Sequence, residues 1–255
     1  MYAEERQQSI AELISSRGRI SVADLSSTYG VTTETVRRDL AVLDRIGVVR
    51  RVHGGAVPAS ALTSSEPGVG ERENTRAEQK DAIAAAALAF LPPSGGSAVL
   101  DAGTTTGRLA ALLTSDRELT LITNSIPIAA RVAPLNGIAL RILGGRVRGT
   151  TQAAVGEEAL AALEWLRVDV AFIGTNALSV GHGLSTPDSD EAAVKRAMVK
   201  TANHVVVLAD STKIGREHLM SFARLNNIDV LVTDEEIDDT DHKSLTDNGI
   251  EVVIA

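Results

Sequence analysis

The stretch V-T-T-E-T-V-R-R-D-L-A-V-L-D-R-I-G-V-V-R-R-V-H-G-G-A, residues 31–56, determines how the N-terminal part of the chain is interpreted. Its apolar residues Val36, Leu40 and Leu43 recur at the i, i+4, i+7 spacing of one helix face. The hydroxyl of Thr32 can accept hydrogen bonds from the first backbone N–H groups and so cap this helix. The stretch therefore predicts a helix that begins near Thr32 and buries one face.

A β-hairpin is expected directly after this helix, and two further helices are expected before it. Gly47 can end the helix, residues 48–52 have the apolar-rich pattern of a strand, and Gly54-Gly55 can form the turn. Upstream, residues 4–17 place apolar side chains on one helical face and are followed by Gly18, and a second short helix is expected at about 22–29, ending at Gly30. Two helices joined by a tight turn and followed by a hairpin predict a winged helix-turn-helix.

The exposed face of the third helix carries the residues expected to contact DNA. At about 100° per residue, Arg38 and Arg45 lie opposite the apolar face and Arg37 lies on its flank. Arginine can contact guanine or phosphate, and threonine can reach phosphate or a thymine methyl group. The predicted DNA contacts are Thr33, Thr35, Arg37 and Arg38 in the helix and Arg50, Arg51 and His53 in the wing. The alternative is a small structural three-helix module whose arginines form a solvated face.

The distribution of charge supports DNA binding, although the net charge of −8 alone argues against it. Residues 1–57 contain eight arginines and seven acidic residues, a balance of +1, which leaves −9 for the rest of the chain. Five of those arginines fall within residues 37–53. The acidity therefore belongs to the region that follows the predicted DNA-binding domain.

Residues 58–74, rich in Pro, Gly and Ser, are predicted to be a linker between a DNA-binding domain at 1–57 and a second domain at 75–255. In the second domain, near-continuous apolar strands alternate with helical segments, which is typical of a parallel sheet covered on both faces. The predicted strands are 98–101, 119–123, 139–143, 168–173, 205–209, 230–232 and 252–254. The expected fold class is α/β, with an N-terminal winged helix-turn-helix followed by a Rossmann-like, mainly parallel α/β domain.

Polar clusters follow these strands, at the end of the sheet where ligands bind in folds of this class. The clusters are 103–106, 123–125, 144–146, 174–176 and 210–213. The segment D-A-G-T-T-T-G (101–107) combines glycine, threonine hydroxyls and a helix N-terminus, which together favour an anion. It is neither a Walker A loop nor a dinucleotide-binding glycine motif. A Gly-Thr loop that merely caps a helix is the structural alternative.

The stretch 31–56 closely resembles the signature of the DeoR family of bacterial transcriptional repressors. In that family the T-V-R-R-D-L helix (35–40) enters the major groove and the R-V-H-G-G-A segment (51–56) forms the wing. The resemblance implies that residues 75–255 form a sensor domain, similar to ribose-5-phosphate isomerase, in which the threonine loop holds a sugar phosphate. The implied effector-binding residues are Asp101, Gly103, Thr104, Thr105, Thr106, Thr123, Asn124, Gly145, Lys195, Asp210 and Lys213.

Two further segments bear on whether the second domain is a sensor or an enzyme. Glu191 and Lys195 are spaced i, i+4; spacing alone favours an exposed ion pair, whereas the family pattern E-A-x-x-K turns Lys195 towards the ligand. The isomerase carries its catalytic carboxylates in a D-G-A-D-E segment, and the comparable stretch here is I-G-T-N-A (173–177). Because Asn176 and Ala177 cannot act as a general base, no catalytic residue is predicted.

Composition excludes several classes of site and sets an expected location. The absence of cysteine excludes disulfides, thiolate metal sites and cysteine nucleophiles. The five histidines are scattered, so neither a metal nor another cofactor is expected. A polar start and the lack of any apolar run near the ~20 residues of a membrane helix predict a cytoplasmic protein without a membrane partner.

The predicted function is that of a DNA-binding transcriptional regulator, a repressor of sugar-catabolic genes. Its expected partners are operator DNA and a phosphorylated sugar. The opening M-Y-A-E-E-R-Q-Q (1–8) resembles regulators of fructose utilisation, which makes fructose 1-phosphate the first candidate effector. A homodimer or homotetramer is expected, since one small module makes few base contacts. The alternatives are a sugar-phosphate isomerase with an appended DNA-binding domain, and a regulator that answers to a protein partner.

Overall fold

The N-terminal domain is a three-helix unit with a small antiparallel sheet. The computed structural model describes residues 2–18, 20–52, 54–58 and 67–255. The first three ranges contain the helices α1 (Ala3–Arg17), α2 (Val22–Tyr29) and α3 (Thr33–Arg45). The strands β1 (Ile20–Ser21), β2 (Val49–Val52) and β3 (Gly55–Pro58) pair in the order β1-β3-β2. The predicted winged helix-turn-helix is confirmed.

A capping hydrogen bond, an apolar face and a partly buried ion pair fix helix α3. The backbone N–H of Thr35 donates to Thr32 Oγ1 at 3.2 Å, the cap that the sequence predicts. The apolar face packs into a core shared with α1 and α2. Arg6 Nε of α1 donates to the buried carboxylate of Asp39 at 2.7 Å. The orientation of α3 therefore depends on a charge contact as well as on apolar packing.

The tight hairpin of the wing requires its two glycines. Gly54 has a φ of +79°, in the left-handed region that favours glycine. Gly55 pairs with Val52 of β2 and also lies against β1, where a Cβ atom would come within 2.3 Å of the carbonyl oxygen of Ile20. The two glycines thus allow the turn and the close approach of a third strand.

The second domain is built on a parallel seven-stranded sheet. Its strands are β4 (Ser97–Leu100), β5 (Leu119–Thr123), β6 (Ile138–Ile142), β9 (Val168–Gly174), β12 (Ala202–Leu208), β14 (Val230–Thr233) and β15 (Glu251–Ile254). They lie in the order β6-β5-β4-β9-β12-β14-β15. Each predicted strand is present, and the chain order reverses between β4 and β9. Such a reversal opens a crevice at the carboxyl ends of the two strands.

Helices cover both faces of this sheet. Helix α4 (Val69–Asn74) precedes them, and α5 (Ala77–Ala87), α6 (Thr104–Ala111) and α7 (Ile126–Val132) pack on one face. Helices α8 (Glu157–Glu164), α9 (Ser189–Thr201) and α10 (Asp239–Asp247) pack on the other. The neighbouring residues Val99 and Leu100 of β4 enter opposite clusters, as alternation along a doubly buried strand requires.

Several short elements were not expected from the sequence. They are the hairpin β7 (Arg146–Arg148) with β8 (Ala153–Val155), and the antiparallel sheet of β10 (Ala177–Ser179), β11 (Gly183–Thr186) and β13 (Met220–Ala223). Helix α4 lies within the predicted linker 58–74, of which residues 59–66 are outside the described ranges. Within those ranges no helix is both long and apolar enough to cross a membrane.

Candidate DNA-binding surface and ligand cavity

The first half of α3 and the hairpin share a concave surface in the N-terminal domain. Thr33 and Arg37 of α3 and Arg51 of β2 line this surface together. The Arg37 side chain is 60% exposed and lies 3.9 Å from Glu34, and the Arg51 side chain is 53% exposed and lies 3.8 Å from Asp44. Exposed ion pairs of this kind contribute little to stability. Both guanidinium groups can therefore exchange these contacts for phosphates or bases.

The other predicted DNA contacts occupy different positions. Arg38 is 81% exposed but lies outside the lining of the concave surface. The hydroxyl of Thr35 shares a 2.9 Å hydrogen bond with that of Thr32 and so belongs to the helix cap. The backbone of Arg50 lies in β2, its side chain is not described, and His53 lies outside the described residues. The structure brings Thr33, Arg37 and Arg51 together.

A cavity of about 380 Å³ opens at the carboxyl ends of β4 and β9, where the strand order reverses. Its walls come from the loops after β4, β9 and β12, the N-terminus of α6, and helices α4, α5 and α9. The predicted effector residues that line it are Gly103, Thr104, Thr105, Thr106, Lys195, Asp210 and Lys213. The volume is typical of a small-molecule site.

The N-terminus of α6 presents hydrogen-bond donors to this cavity. Gly103 precedes the helix and has no side chain to cap it. In the part of the chain that the structure describes, the hydroxyls of Thr104 and Thr105 make no hydrogen bond. Thr106 instead donates to the carbonyl of Asp101 at 2.7 Å and so shapes the loop. The first N–H groups of α6, the helix dipole and two hydroxyls together favour an anion.

Four cationic side chains besides Lys195 line the cavity. They are Arg72, Lys80, Lys213 and Arg216. Burial lowers the pKa of Lys80 to about 8; Asp210 opposes this shift, and nearby cations including Lys213 add to it. Burial also lowers the pKa of Lys213. An anion bound among these groups would offset their mutual repulsion.

Two side chains that line the cavity, Lys195 and Glu191, each form an ion pair. The buried ammonium of Lys195 donates to the buried carboxylate of Asp101. The buried carboxylate of Glu191 pairs with Arg148 at 2.6 Å and accepts a hydrogen bond from Thr151. The exposed Glu191–Lys195 pair that spacing alone favours is therefore wrong, because each residue is buried with a partner from another element.

The remaining predicted effector residues lie outside the lining of the cavity. Asp101 lies beneath it and holds Lys195. The side-chain oxygen of Asn124 accepts the backbone N–H of Ala102 at 3.1 Å and so fixes the loop after β4. The hydroxyl of Thr123 accepts a backbone N–H in the loop after β5, and Gly145 lies against the backbone of β8. In the structure these residues support the cavity walls.

Comparisons with known proteins agree with both halves of this description. Residues 75–235 match the DeoR C terminal sensor domain, and residues 6–61 match the DeoR-like helix-turn-helix domain. The HTH-type transcriptional regulator GlpR of Haloferax volcanii is 38% identical over 253 residues, covering 99% of this chain and 98% of that protein. The chain belongs to the DeoR family.

A second DeoR-family relative is similar over the same extent. The putative aga operon transcriptional repressor of Escherichia coli O157:H7 is 33% identical over 251 residues, covering 98% of this chain and 93% of that protein. Ribose 5-phosphate isomerase A from Methanocaldococcus jannaschii aligns with 55% of each chain at a TM-score of 0.41 and 18% identity. That likeness is too weak to bear on activity. The present chain is a DNA-binding transcriptional regulator.

The sensor cavity of this DeoR-family chain contains cations that sequence reasoning missed. Lys80 does have a signal, since it occupies the same face of α5 as the buried Ile83, Ala84 and Ala87. A lysine on such a face requires a buried acceptor or a ligand. Arg72 has no comparable signal, because it lies in the segment whose composition predicts a linker. Arg216 likewise follows no recognisable motif.

The two domains of the DeoR-family chain meet beside this cavity. Gly18, at the end of α1, lies so close to Arg216 that a Cβ on the glycine would be 3.1 Å from Cγ of the arginine. Arg216 also lines the cavity. The DNA-binding domain therefore touches a loop that forms part of the ligand-binding wall.

Proposed function

We propose that this chain represses sugar-catabolic genes by binding operator DNA, and that a phosphorylated sugar in the cavity releases the DNA. One observation carries the proposal: the cavity combines the free donors at the N-terminus of α6 with four cationic side chains. A phosphate dianion is the ligand that such a combination favours, since its oxygens accept charge-assisted hydrogen bonds.

Lys195 and Glu191 in the cavity wall support recognition of sugar hydroxyls. The Lys195 ammonium has three donors, of which one goes to Asp101 and one to the carbonyl of Gly174 at 3.0 Å. Both contacts of Glu191, with Arg148 and Thr151, use the same carboxylate oxygen. A donor of Lys195 and the second oxygen of Glu191 can therefore bind a hydroxyl group as donor and acceptor.

The ligand can release DNA only if it binds the DNA-competent and DNA-incompetent arrangements of the chain with different affinities. The contact between Gly18 and Arg216 supports such coupling, because it joins the DNA-binding domain to a cavity wall. Fructose 1-phosphate is the first effector to test, on the basis of the N-terminal sequence.

Calorimetry with fructose 1-phosphate, fructose 6-phosphate, glucose 6-phosphate and ribose 5-phosphate tests the proposal, with each unphosphorylated sugar as its matched control. We expect one phosphate to bind at least about 100-fold more tightly than its control, since two charge-assisted hydrogen bonds contribute about 3 kcal/mol together. The same compound should release the protein from a duplex that the protein has selected from a random pool.

Two outcomes would contradict this proposal. If no phosphate binds, a regulator that answers to a protein partner becomes the better explanation. If nuclear magnetic resonance shows conversion of a phosphate into its aldose or ketose isomer, the isomerase alternative is favoured. We expect no conversion, because the segment after β9 is Thr175 and Asn176, followed by Ala177 of β10, and offers no carboxylate as a general base.

We further infer that the chain acts as a homodimer or homotetramer. One winged helix-turn-helix reads a single half-site, and symmetric operators pair two such modules. Light scattering should give a mass that is two or four times 26.7 kDa. A monomer at the concentration that binds operator DNA would contradict this inference.

A further inference from the structure

Helix α4 forms a wall of the cavity, although it buries no side chain of its own. Arg72 lines the cavity, and none of the residues of α4 is buried. Lys80 Nζ donates to the carbonyl of Arg72 at 2.5 Å, and Arg108 donates to the carbonyl of Glu73 at 2.8 Å. The backbone N–H of Val69, at the start of α4, donates to the carbonyl of Thr150 at 3.0 Å. Because these contacts are few and polar, α4 can shift more readily than the helices that pack on the sheet.

A fixed pivot joins α4 to the rest of the sensor domain. Arg76, between α4 and α5, has a φ of +53° and a ψ of +46°, a left-handed conformation that is unfavourable for a residue with a Cβ. Its guanidinium group holds Asp234 at 3.0 Å and Glu236 at 2.9 Å, which secures this conformation. Movement of α4 would therefore take place about Arg76.

Positive charges from separate elements converge at the free side of α4. Arg72 of α4, Lys80 of α5, Arg108 of α6 and Lys213 after β12 interact electrostatically, and Asp210 is the carboxylate that faces Lys80. Like charges repel one another, and α4 is the shortest of the three helices that carry these charges. A phosphate placed among them would replace repulsion with attraction.

We propose that α4 is a clamp that closes on the phosphate of the bound ligand through Arg72 and Lys80, and so moves the chain that leads to the DNA-binding domain. This inference rests on the proposed function, because it supplies the link between an occupied cavity and DNA release. In the sequence, ten residues (59–68) separate the last strand of the wing from α4.

Closure of the clamp is coupled to uptake of a proton. Lys80 has a pKa of about 8, and a phosphate beside it raises that pKa further, so the protonated form binds the ligand better. The charged groups that face Lys80 are Arg72, Arg108, Lys213 and Asp210. Affinity should be full below about pH 7, about half as strong at pH 8 and about tenfold weaker at pH 9. Lys213 also has a lowered pKa and can contribute to this pH dependence. The change of ligand affinity with pH that remains in Lys80→Met measures the contribution of Lys213.

A spin label on α4 of the full chain tests the clamp. The chain has no cysteine, so Glu73→Cys provides a single exposed attachment site for a nitroxide. Fructose 1-phosphate, or whichever phosphate of the panel binds, should immobilise the label, and inorganic phosphate should do so partly. Arg72→Gln and Lys80→Met should each weaken binding of the phosphate ligand about tenfold. Even when saturated with ligand, both variants should remain bound to operator DNA.

Matched variants control this experiment. Lys243→Met removes an exposed lysine of α10 and should behave as wild type, and a label at Lys243→Cys should not respond. Arg72→Lys keeps a positive charge on α4 and should retain DNA release. Thermal unfolding checks each fold, and if Lys80→Met is unfolded, Arg72→Gln decides the test because its side chain is only partly buried.

Each outcome distinguishes the clamp from the proposed function. Full DNA release by saturated Arg72→Gln and Lys80→Met overturns the clamp and leaves the proposed function standing. The clamp is also overturned if the ligand releases DNA from wild-type protein without changing the mobility of the spin label on α4. Loss of release in Arg216→Gln alone would overturn the clamp by assigning the coupling to the contact with Gly18. Wild-type protein that binds none of the phosphates overturns both proposals.

Discussion

Replacing Arg37 and Arg38 together with alanine is expected to abolish specific operator binding and to leave thermal unfolding nearly unchanged. Both side chains are largely exposed and pair with Glu34 across 3.7–3.9 Å, so their removal does not disturb the buried face of α3. A bidentate contact between arginine and guanine contributes about 1–3 kcal/mol of discrimination. Loss of two such contacts should weaken binding by roughly 30-fold to 10⁴-fold.

Mobility-shift titrations at several salt concentrations measure this effect and separate its two causes. If the arginines contact bases, affinity for the selected duplex falls much more than affinity for random DNA. If they contact phosphates, both affinities fall alike and the slope of log K against log salt decreases by about two. The matched control is Arg117→Ala with Arg131→Ala, two exposed arginines of the sensor domain. Full affinity of the Arg37/Arg38 variant would contradict the assigned surface.

The elements that the sequence predicts well are those whose folding depends on a local pattern. Helix α3 has its cap at Thr32 and an apolar face at helical spacing, and the strands of the large sheet are near-continuous apolar runs. The small antiparallel strands have three or four residues, too few to establish a period. Their pairing is also remote: Leu184 of β11 lies opposite Ala223 of β13. Only the tertiary fold supplies that partner.

Parts of the cavity that depend on a local sequence pattern could likewise be predicted, whereas parts that depend on remote partners could not. The threonine loop is recognisable because strand, glycine and helix N-terminus follow one another in the sequence. Glu191 and Lys195 were interpretable only in part, because a buried charge takes whichever counter-charge the fold brings near it. Arg148 and Asp101, on distant elements, are those partners. The place of Arg72 in the cavity wall could not be predicted at all, since Arg72 lies in a segment with the composition of a linker.

Replacing Thr104 and Thr105 with alanine is expected to remove the response to the sugar phosphate. Their hydroxyls belong to the first turn of α6, line the cavity, and make no hydrogen bond within the described residues. Each would donate to the phosphate, and a hydrogen bond to a charged group contributes about 1.5–3 kcal/mol. The double variant should therefore bind the ligand roughly 10²-fold to 10⁴-fold more weakly by calorimetry, and DNA release should need correspondingly more ligand.

The control for this variant is Thr240→Ala with Thr246→Ala, which removes two exposed threonines of α10 and should leave the response unchanged. The loop itself should persist, because Thr106 keeps its hydrogen bond to the carbonyl of Asp101. The backbone N–H groups of α6 and the surrounding cations also remain, so very high ligand concentrations should still release the DNA. That residual response distinguishes a loss of binding from a loss of coupling, since saturated Arg72→Gln should keep its DNA. Release at the wild-type ligand concentration would place the phosphate site elsewhere.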